Sequence, residues 1–305
     1  MSGQAGQFIA SGWDSFTTLR FGGNPAAVVI GAEGYTDGWY RGMAAELNPT
    51  SETAFLLMSQ SPHVDMRVRY FTRTTEVPFC GHATLAAAYA WQRFVSPSAA
   101  FPTRCTFETS VGTVPLRLNW EGGLLGSVTM QQRTPELAGP VRDVETVARI
   151  LGITRSDLNE NLPVQAVSTG LWALMVPLRS HDVLSGLQPR FDDMAAYSVN
   201  SAVSGLQVFV LDRPEGKAWC AHVRNFGPAV GIREDPVTGS AGGALGAFLA
   251  SNLLGATGHL DLHISQGTEM GRGGEMAVEV RTGVDGTMTV TVTGSAVQVW
   301  EGRLV

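Results

Sequence analysis

The sequence contains almost no lysine: of its 21 basic residues only Lys217 is a lysine, and the others are arginines. Enzymes that form a Schiff base with pyridoxal phosphate or with a carbonyl substrate need a lysine amine. Lys217 lies in RPEGKAWC, a segment typical of a turn that enters a strand, where a lysine is normally solvated. Schiff-base chemistry is therefore not expected.

Cysteine, charge and long apolar runs are also scarce. The three cysteines, Cys80, Cys105 and Cys220, are too few for a disulfide framework and are expected to be reduced thiols. A net charge of -6 without a basic block offers no surface for nucleic acid or an anionic membrane. No apolar run has the length of a membrane helix, and no basic residue precedes Arg20 as in a signal peptide. We expect a cytoplasmic protein that binds neither a membrane nor nucleic acid.

The chain instead has 305 residues, 44% of them apolar, and 36 glycines, which together indicate a large core with tight turns. Glycine-bearing turns at 121–123 and 284–286 separate alternating segments and predict hairpins. We therefore predict an α+β protein with mostly antiparallel sheets, and not a doubly wound parallel sheet. The strands are predicted, from apolar residues at every second position, at 68–71, 113–118, 207–211, 276–281 and 288–300.

Two predicted helices, at 83–94 and 241–252, are apolar on nearly every side, which is typical of a helix surrounded by protein. A third, at 144–151, is amphipathic and stops at Gly152. The two apolar helices have similar beginnings, 158 positions apart, so the chain is interpreted as two copies of one design. The link is expected near 131–140, and a cleft between the two copies is the expected binding site.

The beginnings of the two apolar helices are candidate anion sites, since free N–H groups and the helix dipole attract carboxylates there. These beginnings contain Gly81 and His82 in one copy and Gly239 and Ser240 in the other. The alternative is that His82 and Ser240 only cap their helices.

Two acidic residues stand beside apolar segments: Glu52 in NPTSETAFLL and Asp235 in REDPVTGS. Carboxylates in such places are partly removed from water, which suits them to proton transfer. With His82 they form a candidate acid/base set, although each alone also fits a turn or capping residue.

Two Cys-x-His pairs, Cys80 with His82 and Cys220 with His222, formally offer four zinc ligands. One intervening residue makes joint ligation awkward, so no metal is expected. Cys220 and His222 are interpreted as core residues of a strand. Surface positions without a role are expected for the other histidines, His63, His181, His259 and His263.

Five segments in this order resemble the PhzF family of phenazine-biosynthesis isomerase-like proteins, and together they span essentially the whole chain. The resemblance implies the diaminopimelate epimerase fold, with two pseudo-symmetric lobes that each wrap a mostly antiparallel sheet around a central helix. The expected lobes are 1–118 with 289–305, and 119–288; a homodimer is also expected. The segments are FGGNPAAVV, SETAF, FTRTTEVPFCGHATLAAA, RNFGPAVGIREDPVTGSAGGAL and QGTEMGRGG.

The resemblance also implies a function, a cofactor-independent isomerase that moves a proton in a small cyclic or amino carboxylic acid bound between the lobes. In characterised relatives the glutamate of the SETAF-like motif moves a proton between carbons of a dihydro-hydroxyanthranilate, and that position here is Glu52. The other carried-over positions are His82 and Asp235 as supporting catalytic residues, and Gly81, Gly239 and Ser240 as substrate-binding residues.

The sequence departs from the family pattern in ways that keep two alternatives open. The loop between Asn48 and Ser51 is one residue longer than usual, and Arg73 stands where proline is common. Cys80 is a possible secondary base, as in an epimerase, or a small buried residue at a helix start. Val237 stands where two-thiol racemases have their second cysteine, which disfavours two-base thiol chemistry. The other alternative is a catalytically silent protein that binds small acids.

Overall fold

The computed structural model describes residues 8–97, 101–213, 218–254 and 258–304, so Lys217 lies outside the described residues. The strands are β1 (Phe8–Ser15), β2 (Asn24–Ile30), β3 (Thr53–Leu57), β4 (Met66–Phe71), β5 (Glu76–Val77), β6 (Arg104–Thr109), β7 (Gly112–Glu121), β8 (Leu124–Gln131), β9 (Glu136–Pro140), β10 (Gln165–Ser168), β11 (Trp172–Pro177), β12 (Gly205–Asp212), β13 (Trp219–Gly227), β14 (Ile232–Asp235), β15 (Gly258–Gln266), β16 (Gly274–Thr282), β17 (Met288–Gly294) and β18 (Ala296–Leu304). The α-helices are α1 (Asp37–Leu47), α2 (Gly81–Ala90), α3 (Val144–Leu151), α4 (His181–Ser185), α5 (Phe191–Asn200) and α6 (Gly239–Leu253). Shorter helical turns are Trp91–Val95, Arg155–Asp157, Pro228–Val230 and Thr268–Met270.

The chain divides into two compact units, Met1–Gln131 with Thr293–Val305, and Gln132–Val292. The first boundary falls at the end of β8, so the β7–β8 hairpin, in which Leu116 pairs with Met130, lies within one unit. The lobe bounds expected from the resemblance, 118/119 and 288/289, stay a prediction.

The two units share one strand-pairing pattern, as the duplicated sequence predicts. In the first unit, the successive pairs β1–β2, β2–β3, β3–β4, β4–β6 and β6–β7 are antiparallel, parallel, antiparallel, parallel and antiparallel. In the second unit, β10–β11, β11–β12, β12–β13, β13–β15 and β15–β16 repeat the same order. Each of these two series contains two parallel pairs. The second of them, β4–β6 in the first unit and β13–β15 in the second, is joined by a crossover that contains the apolar helix, α2 or α6. The predicted α+β architecture of two similar copies is confirmed.

The apolar helices are enclosed by their own units. In the first, every side chain of α2 from Ala83 to Ala90 is buried. In the second, α6 is buried from Gly239 to Ala250 except for Ser240, which is half-buried. Small side chains allow the strands to approach closely, and at Gly246 an added Cβ would lie 2.6 Å from Cγ1 of Val278 on β16. Both helices are therefore central, as predicted.

Further helices cover the opposite face of each sheet. In the second unit, α3 contributes Val147 and Leu151 to a cluster that includes Met194 of α5 and Val208 of β12. Gly152 ends α3 in the left-handed conformation at φ 75°, as predicted from its position. In the first unit, Tyr40 of α1 is buried in a separate aromatic cluster against the sheet.

The predicted strands and hairpins are present with one change. Gly122 and Gly123 form the two-residue β7–β8 turn with φ of 56° and 83°, the left-handed values this turn requires. The predicted segment 288–300 is two strands, β17 and β18, interrupted at Ser295. The core assignment of His222 is wrong, because its side chain is 48% exposed. Among the described residues, no helix combines the length and apolar character needed to cross a membrane.

We expect Gly246→Ala to lower the free energy of unfolding by about 1 kcal/mol or more, because overpacking against Val278 outweighs the helix propensity gained. The matched control is Gly42→Ala in α1, where nothing apart from the local helix backbone and the two chain neighbours lies within 4 Å of the new Cβ. That substitution should raise the free energy of unfolding by up to about 1 kcal/mol. Urea unfolding measures both, and effects of the same sign would contradict the close packing of α6.

Candidate active site

Glu52 is held in place by its backbone. It immediately precedes β3, and its carbonyl oxygen accepts a hydrogen bond from the Ala27 N–H of β2 at 3.4 Å. The side-chain amide of Asn48, the residue after α1, donates to the same carbonyl and to that of Pro25, both at 3.2 Å. These bonds fix the loop from Asn48 to Glu52. The backbone position from which the Glu52 side chain extends, directly before the buried strand β3, is therefore fixed as well.

The beginning of α2 is fixed in a similar way. Cys80 occupies the N-cap position, and its carbonyl accepts from the Thr84 hydroxyl at 2.7 Å. Because Thr84 uses its only proton there, the buried Tyr70 hydroxyl, 2.6 Å away, donates to Thr84. Burial raises the pKa of the Tyr70 phenol, which keeps it a neutral donor. Ser15 of β1 donates to the carbonyl of His82 at 2.8 Å, so two strands position this turn of helix.

Four side chains of the first unit meet beside this helix beginning. The Ser51 hydroxyl lies 2.9 Å from Oε2 of Glu52 and 3.0 Å from Nε2 of His82. His82 Nε2 is also 3.3 Å from Oε2 of Glu52. Sγ of Cys80 lies 3.4 Å from Nδ1 and 3.7 Å from Nε2 of His82, over the face of the imidazole ring. A carboxylate, a hydroxyl and an imidazole therefore form one continuous chain, and a thiol packs against the imidazole.

The protons of this chain can be assigned from what each group donates. Ser51 has one proton and donates it to the Glu52 carboxylate, so it accepts from His82 Nε2–H. Every proton points toward Oε2 of Glu52. Within the described part of the chain, the other oxygen, Oε1, has no hydrogen-bond partner and can accept a substrate proton.

The cluster is largely, but not completely, shielded from water. The Glu52 and His82 side chains are 16% and 11% exposed, and Cys80 is buried. Glu52, Cys80 and His82 also bring donor atoms within 4.8 Å of one another, a spacing that a divalent metal could use. The Ser51 hydroxyl, however, already bonds to two of these donors, which favours a proton-transfer arrangement.

The second unit contains the other predicted site residues. The Asp235 carboxylate accepts a hydrogen bond from the Thr238 hydroxyl, and the Gln266 amide donates to the Asp235 carbonyl at 2.8 Å. Thr238 is the N-cap residue of α6, yet its side chain forms no capping bond. Gly239 and Ser240 are the first two residues of this helix.

The alternative in which Ser240 and His82 cap their helices is wrong. The N-cap residues are Thr238 and Cys80, and neither helix has a side-chain cap hydrogen bond. His82 and Ser240 each occupy the second helical position instead. Val237, where a racemase would have its second cysteine, is buried.

Comparison with known proteins places the chain in a family. The pattern of PhzC-PhzF, described as phenazine biosynthesis-like protein, matches residues 13–302. The chain belongs to the PhzC-PhzF family. It is 38% identical over 296 residues to an uncharacterised isomerase of Clostridium acetobutylicum, with 96% of each chain covered. It is 31% identical over 296 residues to the trans-2,3-dihydro-3-hydroxyanthranilate isomerase of Pseudomonas aeruginosa, covering 95% of this chain and 96% of the relative.

Solved structures agree with this PhzC-PhzF assignment. The crystal structure of a PhzF-family phenazine biosynthesis protein from Bacillus anthracis superposes with a TM-score of 0.86 at 28% identity, covering 98% of this chain and 99% of the other. A hydroxyproline epimerase from Agrobacterium vitis shares the fold alone, with a TM-score of 0.62 at 14% identity over 98% of this chain and 91% of the other. The predicted family and fold class are confirmed.

The structure brings Glu52, Cys80, Gly81 and His82 together in the first unit, whereas Asp235, Gly239 and Ser240 lie in the second. Sequence reasoning overlooked Ser51, although it is the first letter of the SETAF motif. Its adjacency to Glu52 was the available signal. Its contact with His82, 31 positions away, was visible only in the fold.

We expect Ser51→Ala to lower kcat about 10- to 100-fold, because a hydrogen bond to a charged group contributes about 1.5–3 kcal/mol. The pH profile of kcat should change as well, since Glu52 and His82 lose the hydroxyl that connects them. Ser51→Thr keeps the hydroxyl and should restore most of the activity. A Ser51→Ala enzyme with an unchanged pH profile, or a Thr variant as slow as the Ala variant, would contradict this role.

Proposed function

We propose that the protein is a cofactor-independent isomerase that moves a proton between two carbons of a small carboxylic acid, with Glu52 as the general acid and base. The observation that carries the proposal is the hydrogen-bond chain from His82 through Ser51 to Glu52. Relatives named isomerases, among them a trans-2,3-dihydro-3-hydroxyanthranilate isomerase, support the reaction class and favour a small cyclic acid as substrate.

The proposed reaction needs no change in the composition of the substrate. Glu52 Oε1 takes a proton from carbon, and the electron pair of the broken C–H bond moves into the adjacent conjugated system. The resulting carboxylic acid returns the same proton to a different carbon, which regenerates the carboxylate. The hydrogen bond from Ser51 to Oε2 holds Glu52 in one orientation while Oε1 exchanges the proton.

His82 and Asp235 are proposed to orient the substrate or to relay protons. For His82, the support is its 3.3 Å approach to Glu52. The backbone N–H groups at Gly81 and Gly239, with Ser240, are proposed to bind the substrate carboxylate. Their support is that both helices begin without a side-chain cap. The homodimer expected from the resemblance stays a prediction.

Glu52→Gln should reduce turnover at least about 100-fold, because general acid–base catalysis contributes about 10²- to 10⁴-fold. The variant should still fold, since Glu52 is fixed through its backbone carbonyl, which the substitution leaves intact. We would incubate both proteins in heavy water with small cyclic and amino acids, among them dihydro-hydroxyanthranilate. Mass spectrometry and NMR then follow isomer formation and carbon-bound deuterium.

Isomer formed by the wild type and not by Glu52→Gln would support the proposal, whether or not deuterium enters, because a shielded carboxylic acid can return the original proton. Full activity in a folded Glu52→Gln variant would refute it. Ligands that raise the melting temperature without being converted would instead favour a silent small-acid binding protein.

A second candidate function, an epimerase with Cys80 as its base, is favoured by one observation, the position of Sγ of Cys80 at 3.4 Å from Nδ1 and 3.7 Å from Nε2 of His82. A protonated imidazole this close would stabilise a thiolate electrostatically. Because Val237 stands in place of a second cysteine, the epimerase would have only one thiol. A single thiol is poorly suited to remove a proton from one face of a carbon and return a proton to the opposite face.

Under the Glu52 proposal, Cys80→Ser should reduce kcat by less than about tenfold, because Cys80 transfers no proton to or from the substrate. Thiol-reagent labelling in a Cys220→Ser background isolates Cys80, since Cys105 is only 1% exposed, against 8% for Cys80, and burial raises the pKa of the Cys105 thiol. A loss of activity in Cys80→Ser as large as that in Glu52→Gln, with substrate protecting the thiol, would favour the epimerase.

A further inference from the structure

A second cluster of titratable side chains lies wholly within the second unit, outside the residues assigned to isomerisation. It contains His181, Asp212 and His222, whose potential ligand atoms all lie within 4.8 Å of one another. Their side chains are 50%, 43% and 48% exposed, so the cluster is open to solvent. Neither the proposed reaction nor the family motifs quoted above use these residues.

Strand register explains why the three residues meet. In the β12–β13 ladder Val210 pairs with His222 and Asp212 with Cys220. Asp212 and His222 are therefore diagonal neighbours on one face of the sheet. His181 is the first residue of α4, the short helix that follows β11. Its ring meets that of His222 edge to face, with the centroids 4.5 Å apart.

The spacing of the donor atoms suits a tetrahedral metal ion. Two ligand atoms bound to one tetrahedral zinc ion lie about 3.3 Å apart. Oδ2 of Asp212 lies 2.8 Å from Nε2 of His181 and 3.8 Å from Nε2 of His222, values on either side of that spacing. Shifts of about half an ångström would bring both pairs to it, and exposed side chains can make such shifts.

A supporting hydrogen bond orients one of the imidazoles. The Ser265 hydroxyl of β15 lies 2.7 Å from Nδ1 of His222, and β15 pairs with β13 so that Ser265 stands opposite His222. If Nδ1–H donates to this hydroxyl, Nε2 is the unprotonated nitrogen, and its lone pair is on the side of the ring that faces Asp212. Histidine ligands of metals almost always have such a partner on the other ring nitrogen.

A cavity of about 230 Å³ adjoins the cluster. His181, His222 and Ser265 line it, together with Thr268 and Glu269. A site with three protein ligands leaves a coordination position for water or a small ligand, as in catalytic zinc sites. Space for such a ligand therefore lies against two of the three donors.

The other exposed cluster with metal-like spacing contains His259, Asp261 and Glu279, and it is the weaker candidate. Glu279 already accepts a hydrogen bond from Nε of Arg281 at 2.6 Å. This guanidinium lowers the pKa of Glu279 and occupies the oxygen that also faces His259. A permanent cation at that oxygen disfavours a second cation there.

We infer that His181, Asp212 and His222 form a binding site for a divalent transition-metal ion, with Zn²⁺ as its best fit. Two imidazoles and one carboxylate supply the protein ligands, and Ser265 positions His222. The ligand set of nitrogen and oxygen atoms without a thiolate suits Zn²⁺ and its neighbours in the first transition series and disfavours Mg²⁺ or Ca²⁺.

The test is a Zn²⁺ titration of the full chain after chelator treatment, in competition with a chromophoric zinc indicator. Wild type should bind one equivalent at this site. Since loss of even a supporting partner costs about 10- to 100-fold in metal affinity, Ser265→Ala should weaken binding about tenfold, and His222→Asn or Asp212→Asn by about 100-fold or more. Melting temperatures without metal verify that the variants are folded.

The matched control is His259→Asn, which makes the same change in the other exposed cluster and should leave zinc affinity unchanged. Co²⁺ substitution distinguishes this site from the Cys80 cluster, because only a thiolate ligand gives an intense near-ultraviolet charge-transfer band. Absence of stoichiometric binding would overturn the inference. So would unchanged affinity in His222→Asn, an equal loss in His259→Asn, or a Co²⁺ spectrum dominated by the thiolate band.

Discussion

The structure depends above all on the burial of two helices that have no polar face. A helix such as α2, apolar on every side, is stable in water only if protein surrounds it completely. Each unit meets this requirement by wrapping its own strands around one such helix. Alanine and glycine dominate the helices because larger side chains would keep the strands too far away, as the approach of Val278 to Gly246 illustrates.

The same constraint creates the candidate active site. A helix enclosed along its length can receive a ligand only where it begins or ends, and at its beginning the backbone N–H groups are free for an anion. In the first unit this beginning contains Cys80, Gly81 and His82, and the rigid start of β3 brings Glu52 to the imidazole. Ser51 then connects the two groups, so an acid/base set follows from the way the core is closed.

The proposed metal site has a different origin. It depends on no motif and on no buried helix, but on the register of β12 and β13 and on the position of α4. Its residues are exposed, so the core neither requires nor excludes them. The contrast explains why the interpretation of His222 as a core residue was wrong: strand alternation predicts two faces, and the face bearing His222 is open to solvent at this point.

The sequence alone determined the α+β class, the duplicated design and the two central helices, and it named Glu52 and His82 as candidates, because apolar periodicity and local motifs act over short stretches of chain. Only the tertiary structure decided that Ser51 connects Glu52 with His82, that neither His82 nor Ser240 caps its helix, and that His181 meets Asp212 across 31 positions. These outcomes depend on strand register and on the direction of individual hydrogen bonds. Both are fixed when distant segments pack, and neither leaves a local pattern in the sequence.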